Sequence, residues 1–157
     1  MQNKYGKVIF TSSITGTIVS ASGHAHYAAT KSGLMGLVKT AAIELSQYNI
    51  NINAIVPGNV MSDGMKLERG DEYIKSQSKS IPLGRLASTD EIGKLVSFLA
   101  SDEASYITGQ GITIDGGQTI PENQDEDTTP KFDVNLEAEA AVKYYKDKDP
   151  NCNSKTR

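Results

Sequence analysis

Two short runs suited to strands, Lys7-Val8-Ile9-Phe10-Thr11 and Ile50-Asn51-Ile52-Asn53-Ala54-Ile55-Val56, flank a stretch with helical spacing from about Ala25 to Tyr48. The first run dissolves into Ser12, Ser13 and then Gly16, as a buried strand does where it emerges at its carboxyl end. The second alternates, turns continuously apolar as a parallel strand does, and stops at Pro57, which has no amide proton for a ladder. Gly58 after it allows close backbone approach, read here as approach to a ligand. Strand, helix and strand in that order predict an α/β fold with a parallel sheet. In such folds the working groups gather at the carboxyl edge.

The intervening helix carries Tyr27 and Lys31, four residues apart. Residues at i and i+4 share a helix face, so the phenol and the ammonium address one region of space. A unit positive charge about 4 Å from a phenolate is worth roughly 4 kcal/mol at an effective dielectric near 20, which favours the ionised form. Such a tyrosine suits acid and base work. Spacing alone is weak: Tyr144 and Lys148 repeat it in the charged tail, and an isolated pair of this kind is usually a solvated helix face. Context separates the first copy from the second. His24 and His26 flank Tyr27, but no third histidine, cysteine pair or carboxylate cluster accompanies them, so no metal site is expected. They either line a pocket or are solvated.

The rest of the helix is open to two readings. Its small positions Ala28, Ala29, Ser32, Gly33 and Gly36, beside Leu34, Leu37, Val38, Ala41, Ala42 and Leu45, fit either core packing or a seam with a second copy. From Asp63 to Ile81 the chain is polar and helix-prone with balanced charges. A helix start at Thr89 with Glu91 following leads to Ile92, Leu95, Val96, Phe98 and Leu99 at helical spacing. A last strand, Gly111 to Asp115, ends at Gly116-Gly117.

Between Met1 and Pro121 basic and acidic residues balance at ten each, so the net charge of −3 belongs to residues 122–157. A neutral body argues against nucleic acid as a partner. Residues 1–121 are expected to form the folded part. Residues 122–157 are expected to form an acidic linker and charged tail, with a possible short helix from about Leu136 to Lys146. The single cysteine, Cys152, excludes an intramolecular disulfide and makes a reducing cytoplasm the simplest compartment. No apolar run reaches the roughly 20 residues of a membrane helix.

Four motifs in order, Ser13, Tyr27-Ala28-Ala29-Thr30-Lys31-Ser32-Gly33, Asn53-Ala54-Ile55-Val56-Pro57-Gly58 and Ile114-Asp115-Gly116-Gly117, resemble the short-chain dehydrogenase/reductase family from about Gly6 to Ile120. Within that family the closing stretch to Glu122, with Arg85-Leu86-Ala87 before it, looks most like the UcpA-type bacterial oxidoreductases. The resemblance implies hydride transfer between NAD or NADP and a small alcohol or carbonyl. It assigns catalysis to Ser13, Tyr27 and Lys31, with Ser12 left as a structural hydroxyl. It assigns cofactor contacts to Tyr27, Lys31, Pro57, Gly58 and Val60, and to Ser62, where the family usually has threonine. It further implies a mobile substrate lid over 63–81 and a dimer or tetramer.

The sequence contains no Gly-x-x-x-Gly-x-Gly turn, so the resemblance is to the carboxyl-terminal part of a doubly wound, parallel-sheet Rossmann fold lacking its first βαβ unit. Three expectations follow. The right-handed crossovers should all lie on one face of the remaining sheet. The other face should lose its helices, leaving the chain marginally folded alone. The cofactor diphosphate should have no site. A non-catalytic fragment or partner-dependent subunit is the alternative reading.

Overall fold

The computed structural model describes residues 5–121, apart from the side chains of Lys66 and Glu68. These lie in the first of two compact units, Met1–Glu122. The expected tail helix from Leu136 to Lys146 falls outside the described residues. No helix among the described residues is long and apolar enough to cross a membrane.

The first apolar run forms β1 (Gly6–Thr11) and leads into a four-residue turn, α1 (Ile14–Thr17). Helix α2 (Ala25–Leu45) ends in a 3₁₀ turn, Ser46–Tyr48, and Asn49 reverses the chain at φ 56. Asparagine accepts this left-handed conformation more readily than most residues because its short side chain bonds locally. The second run forms β2 (Ile50–Pro57), parallel to β1 from Gly6 opposite Ile50 to Thr11 opposite Ile55.

Beyond β2 come β3 (Val60–Met61), α3 (Asp63–Lys79), β4 (Ala87–Ser88), α4 (Thr89–Ala100) and β5 (Gly111–Ile114). β5 pairs in parallel with the other edge of β2, giving the order β1-β2-β5. The expected last strand is therefore one residue shorter, since Asp115 leaves the ladder to close a turn. Helix α4 begins with Ser88 rather than Thr89 as its cap. The Ser88 hydroxyl accepts from Glu91 N, and the Glu91 carboxylate accepts from Ser88 N. Arg85 clamps the same carboxylate through two bonds of 2.9 and 2.7 Å and holds Glu91 down at about 2, with the cap amide adding to the effect.

Packing corrects the expectation of a sheet covered on one face only. Ile52 and Ala54 of β2 pack with Phe10 against Val38 and Ala42 of α2. Ile55, with Ile9 and Ile112, packs against Leu99 of α4. Successive strand residues point to opposite sides, so α2 and α4 lie on opposite faces. The strands advance in one direction from β1 through β2 to β5, so the two crossovers have opposite hands. The right-handed rule applies where a strand feeds a helix that packs straight back. Here α3 and the β3·β4 pair intervene between β2 and α4, which frees that connection. Both faces of the described sheet thus carry a helix.

Two asparagines on β2 guide β5 into place. Asn53, only 1% exposed, donates from Nδ2 to Ile107 O at 2.8 Å and accepts from Gln110 N at 3.1 Å. Asn51 donates to Ser105 O in a more exposed setting. Leaving a buried donor or acceptor unpaired costs about 1–3 kcal/mol per group. Asn53→Leu is therefore expected to lower unfolding free energy by about 3 kcal/mol, and Asn51→Leu by under about 1 kcal/mol. Urea titrations of both variants check this; equal losses would show that burial does not set the strength of the clamp.

Candidate active site

The carboxyl end of β1 and the first turns of α2 are fastened together side chain by backbone. Ser12, buried, donates its hydroxyl to Lys31 O at 2.8 Å, and its own amide donates to Ile55 O at 2.9 Å. Lys31 Nζ reaches back to Thr11 O at 2.8 Å. Ser32 Oγ donates to Gly16 O. The turn carrying Ser13 is thereby pressed onto the α2 turn carrying Tyr27 and Lys31, one strand away from Pro57 and Gly58.

Gly16 is what allows this approach. It sits at φ +98, and a Cβ there would lie 2.6 Å from Ala28 O and 2.7 Å from Ala28 Cα. Both the backbone conformation and the space require glycine. The Ser13 hydroxyl is half-buried and accepts from Thr15 N at 3.2 Å, which leaves its own hydrogen to donate. Tyr27 is 36% exposed. Lys31 Nζ lies over the ring, 5.5 Å from its centroid. His24 meets the same ring edge-on at 6.3 Å between centroids, with Nδ1 3.0 Å from Ser22 O.

Gly58 also has a close neighbour inside the chain. A Cβ at this position would lie 2.7 Å from Gln118 Oε1 and 2.8 Å from Asp115 Cβ. A close approach that needs glycine is thus made to the turn after β5, within the chain itself. Val60 sits in β3, paired with Ala87 of β4, a pairing that two-residue strands do not announce in sequence. Ser62 caps α3, its hydroxyl accepting from Met65 N at 3.1 Å. The 63–81 segment is a helix broken at Gly70, where φ 74 and ψ 168 are non-helical, and the Arg69 guanidinium lies 5.5 Å from the Tyr73 ring centroid across the break.

Three residues with no role assigned from sequence hold this edge together. Asp115 accepts from Gly117 N, Thr119 N and Thr119 Oγ1. Burial alone would raise its carboxyl, but those donors outweigh burial and hold it below the usual range. An aspartate directly before two glycines is an Asx-turn signal that could have exposed this role. Gln118 Oε1 accepts from Asn59 N at 3.1 Å, and Asn59 Nδ2 donates to Gln77 Oε1 at 2.8 Å. A cavity lined by Leu83, Arg85, Ala87, Glu91 and the stretch Ile114 to Gly116 includes none of the residues expected to be catalytic or to bind the cofactor.

Residues 1–119 match the family described as enoyl-(acyl carrier protein) reductase. Oxidoreductase UcpA of Escherichia coli O157:H7 is 43% identical over 126 residues, covering 76% of this chain and 48% of that protein. Trans-4-hydroxycyclohexanecarboxylate dehydrogenase of Sinomonas cyclohexanicum is 45% identical over 125 residues, covering 78% and 44%. 3-Oxoacyl-[acyl-carrier-protein] reductase FabG of Rickettsia felis is 42% identical over 120 residues, covering 76% and 49%. A crystal structure of a short chain dehydrogenase family protein from Francisella tularensis aligns with a TM-score of 0.68 at 29% identity, over 76% of this chain and 53% of that one. The chain spans about half the length of the curated relatives it matches.

The contact between the Ser13 turn and α2 predicts a specific sensitivity. Gly16→Ala is expected to cost about 1–3 kcal/mol of stability through backbone strain and overlap with Ala28. Gly23→Ala is the contrast, since Gly23 also has positive φ, +80, but has open space around it. Equal losses in thermal unfolding would mean that strain alone, and not the close approach to Ala28, accounts for the effect.

Proposed function

We propose that this chain, which belongs to the short-chain dehydrogenase/reductase family, provides the catalytic edge of an NAD(P)-dependent oxidoreductase interconverting an alcohol and a carbonyl. The observation that supports this most is the packing of the Ser13 turn on the Tyr27 and Lys31 turn, through Gly16, Ser12 and Ser32. Tyr27 would exchange the proton of the substrate oxygen. Ser13 would donate a hydrogen bond to that oxygen as charge develops on it. Lys31 gives one hydrogen to Thr11 O and retains two for ribose hydroxyls. A bound nicotinamide cofactor supplies the hydride chemistry.

The residues fit one end of that cofactor. Lys31 offers donors, and the backbone from Pro57 to Val60, with the Ser62 hydroxyl, lies at the same edge. A diphosphate needs backbone amides at a glycine-rich turn and a helix N-terminus, and this sequence contains no such βαβ unit. We therefore assign weak cofactor binding to the chain by itself. The names of two relatives, a 3-oxoacyl reductase and a hydroxycyclohexanecarboxylate dehydrogenase, agree with carbonyl and alcohol chemistry. The setting proposed is the cytoplasm.

In a form that also carries a glycine-rich unit, Tyr27→Phe should lower turnover with NADH or NADPH by about 10²- to 10⁴-fold, the usual contribution of a positioned acid or base. Lys31→Ala should be nearly as damaging, while Tyr144→Phe, with identical spacing, should change nothing. Steady-state rates over a panel of simple ketones and alcohols test this, and comparable rates for wild type and Tyr27→Phe would sink the assignment.

Self-association through α2 and the β5 region belongs to the same proposal. Leu37 and Ile43 of α2 are 49% and 78% exposed, and Gly33 and Gly36 face open space within this chain. Packing inside the chain thus accounts for Val38 and Ala42 but not for these positions. Sedimentation at micromolar concentration should give a dimer or tetramer. Leu37→Lys with Ile43→Lys should shift it toward monomer, and a well-folded wild-type monomer would count against the seam.

A further inference from the structure

We infer that Asn59 is a positioning residue that fastens the second half of helix α3 to the backbone at the end of β2. This rests on the proposed cofactor-facing role of residues 57–60. Asn59 bonds three separate segments. Its amide donates to Gln118 Oε1 at 3.1 Å, its carbonyl accepts from Ala87 N at 3.0 Å, and its side-chain Nδ2 donates to Gln77 Oε1 at 2.8 Å. The first two bonds fix the backbone on both sides, so the side chain has a rigid base from which to hold α3.

Helix α3 needs such a hold because it buries little. None of its described side chains is fully buried, and the half-buried ones beyond the break are Ile74, Gln77 and Ser78. Segments with few buried apolar contacts open locally at low cost, so one partly buried hydrogen bond is a large share of what keeps them closed. The break falls at Gly70, at φ 74 and ψ 168, a conformation essentially restricted to glycine. Beyond it, Gln77 lies in the last turn, where Ser80 N and Oγ both donate to Gln77 O. Buried Ile81 follows, packed so closely under Gly116 that a Cβ there would lie 2.9 Å from Ile81 Cγ2. One half of the helix is therefore tied at its end and at Gln77. The other half runs from the Ser62 cap to the Gly70 break, with Met65 half-buried. A ligand that shifts the backbone at 58–60 moves Asn59, and Asn59 carries that shift to Gln77.

Hydrogen exchange read by mass spectrometry on the whole chain tests this. Gln77→Leu and Asn59→Ala should each speed exchange of amides 71–79 about five-fold, the change that an ordinary hydrogen bond makes in a local opening equilibrium. The double variant should be no faster than either single one, because the two substitutions remove the same bond. Gln77→Glu keeps an acceptor for Asn59 Nδ2 and should exchange like wild type, which a loss of packing at residue 77 would not reproduce. Amides of β2 and β5 should be unaffected by Gln77→Leu. Unchanged exchange in Gln77→Leu, additive effects in the double variant, or Gln77→Glu as fast as Gln77→Leu would each overturn the inference. NADH at high concentration then separates it from the functional reading. In a form that also carries a glycine-rich unit, slowed exchange at 58–60 without any response at 71–79 would sink the coupling alone, whereas no slowing at 58–60 would sink the cofactor assignment and leave the ligand-free comparison standing.

Discussion

Asn53 is an amide with almost no exposure of its own, on a strand whose neighbours Ile52, Ala54 and Ile55 are core residues. An unpaired amide in such a place would be costly, and Asn53 is paired at both ends, to Ile107 O and Gln110 N. Thr108 Oγ1 accepts from Ile52 N and Gly109 N donates to Ile52 O, so the loop before β5 serves β2 as a strand would before a strand is present. Ala54 N then bonds Gln110 O, and the ladder to β5 begins with Ala54 opposite Gly111. The register of β5, and with it the placement of Asp115 and Gln118 beside Gly58, follows from this clamp. A one-residue slip would turn every β5 side chain to the wrong face.

The carboxyl edge is consequently built from three strand ends that hold one another. β1 delivers Ser12 and Ser13, β2 delivers Pro57 and Gly58, and β5 delivers the turn closed by Asp115. Glycine marks two points of contact. Gly16 lets the Ser13 turn meet Ala28, and Gly58 lets β2's end meet Asp115 and Gln118. A methyl group at either position would separate segments whose spacing the proposed chemistry depends on. Proton exchange at Tyr27 and a donor at Ser13 need placement within fractions of an ångström, since misplacement of about 1 Å can cost 10²-fold.

Much of this was legible in the sequence because it is written in short-range periodicity. The two apolar runs, the helix from Ala25 and the parallel arrangement follow from spacing and from where Pro and Gly interrupt it. The helix start near Thr89 was legible to within a residue, since a serine cap and a threonine beside it carry the same hydroxyl signal. What could not be read depends on contacts between distant segments. The β3·β4 pair involves two residues a side, too few for any alternation to register. The two-sided covering of the sheet was missed because handedness was taken from the general rule, while the long connection through α3 escapes it. The links from Asn59 to Gln118 and Gln77 span 59 and 18 residues and use amides, which in sequence look like ordinary surface residues.

Gly58 shows how one marker can carry more than one reason. A glycine after a strand-ending proline was read as room for a ligand, and the chain also needs glycine there because the space a Cβ would take is filled by its own Asp115 and Gln118. The distinction changes what a substitution would do. If Gly58 only bordered a cofactor, a larger residue would act on binding and leave the fold alone. Because its neighbour across the gap is the Asp115 turn, a larger residue must first displace Gln118 from Asn59 N, and Asn59 in turn holds Gln77 of α3. Damage at this one position would thus spread to the end of β5 and to α3 before any ligand is bound. One contact that needs glycine is internal, and whatever binds at this edge meets a surface that the internal contact has already shaped.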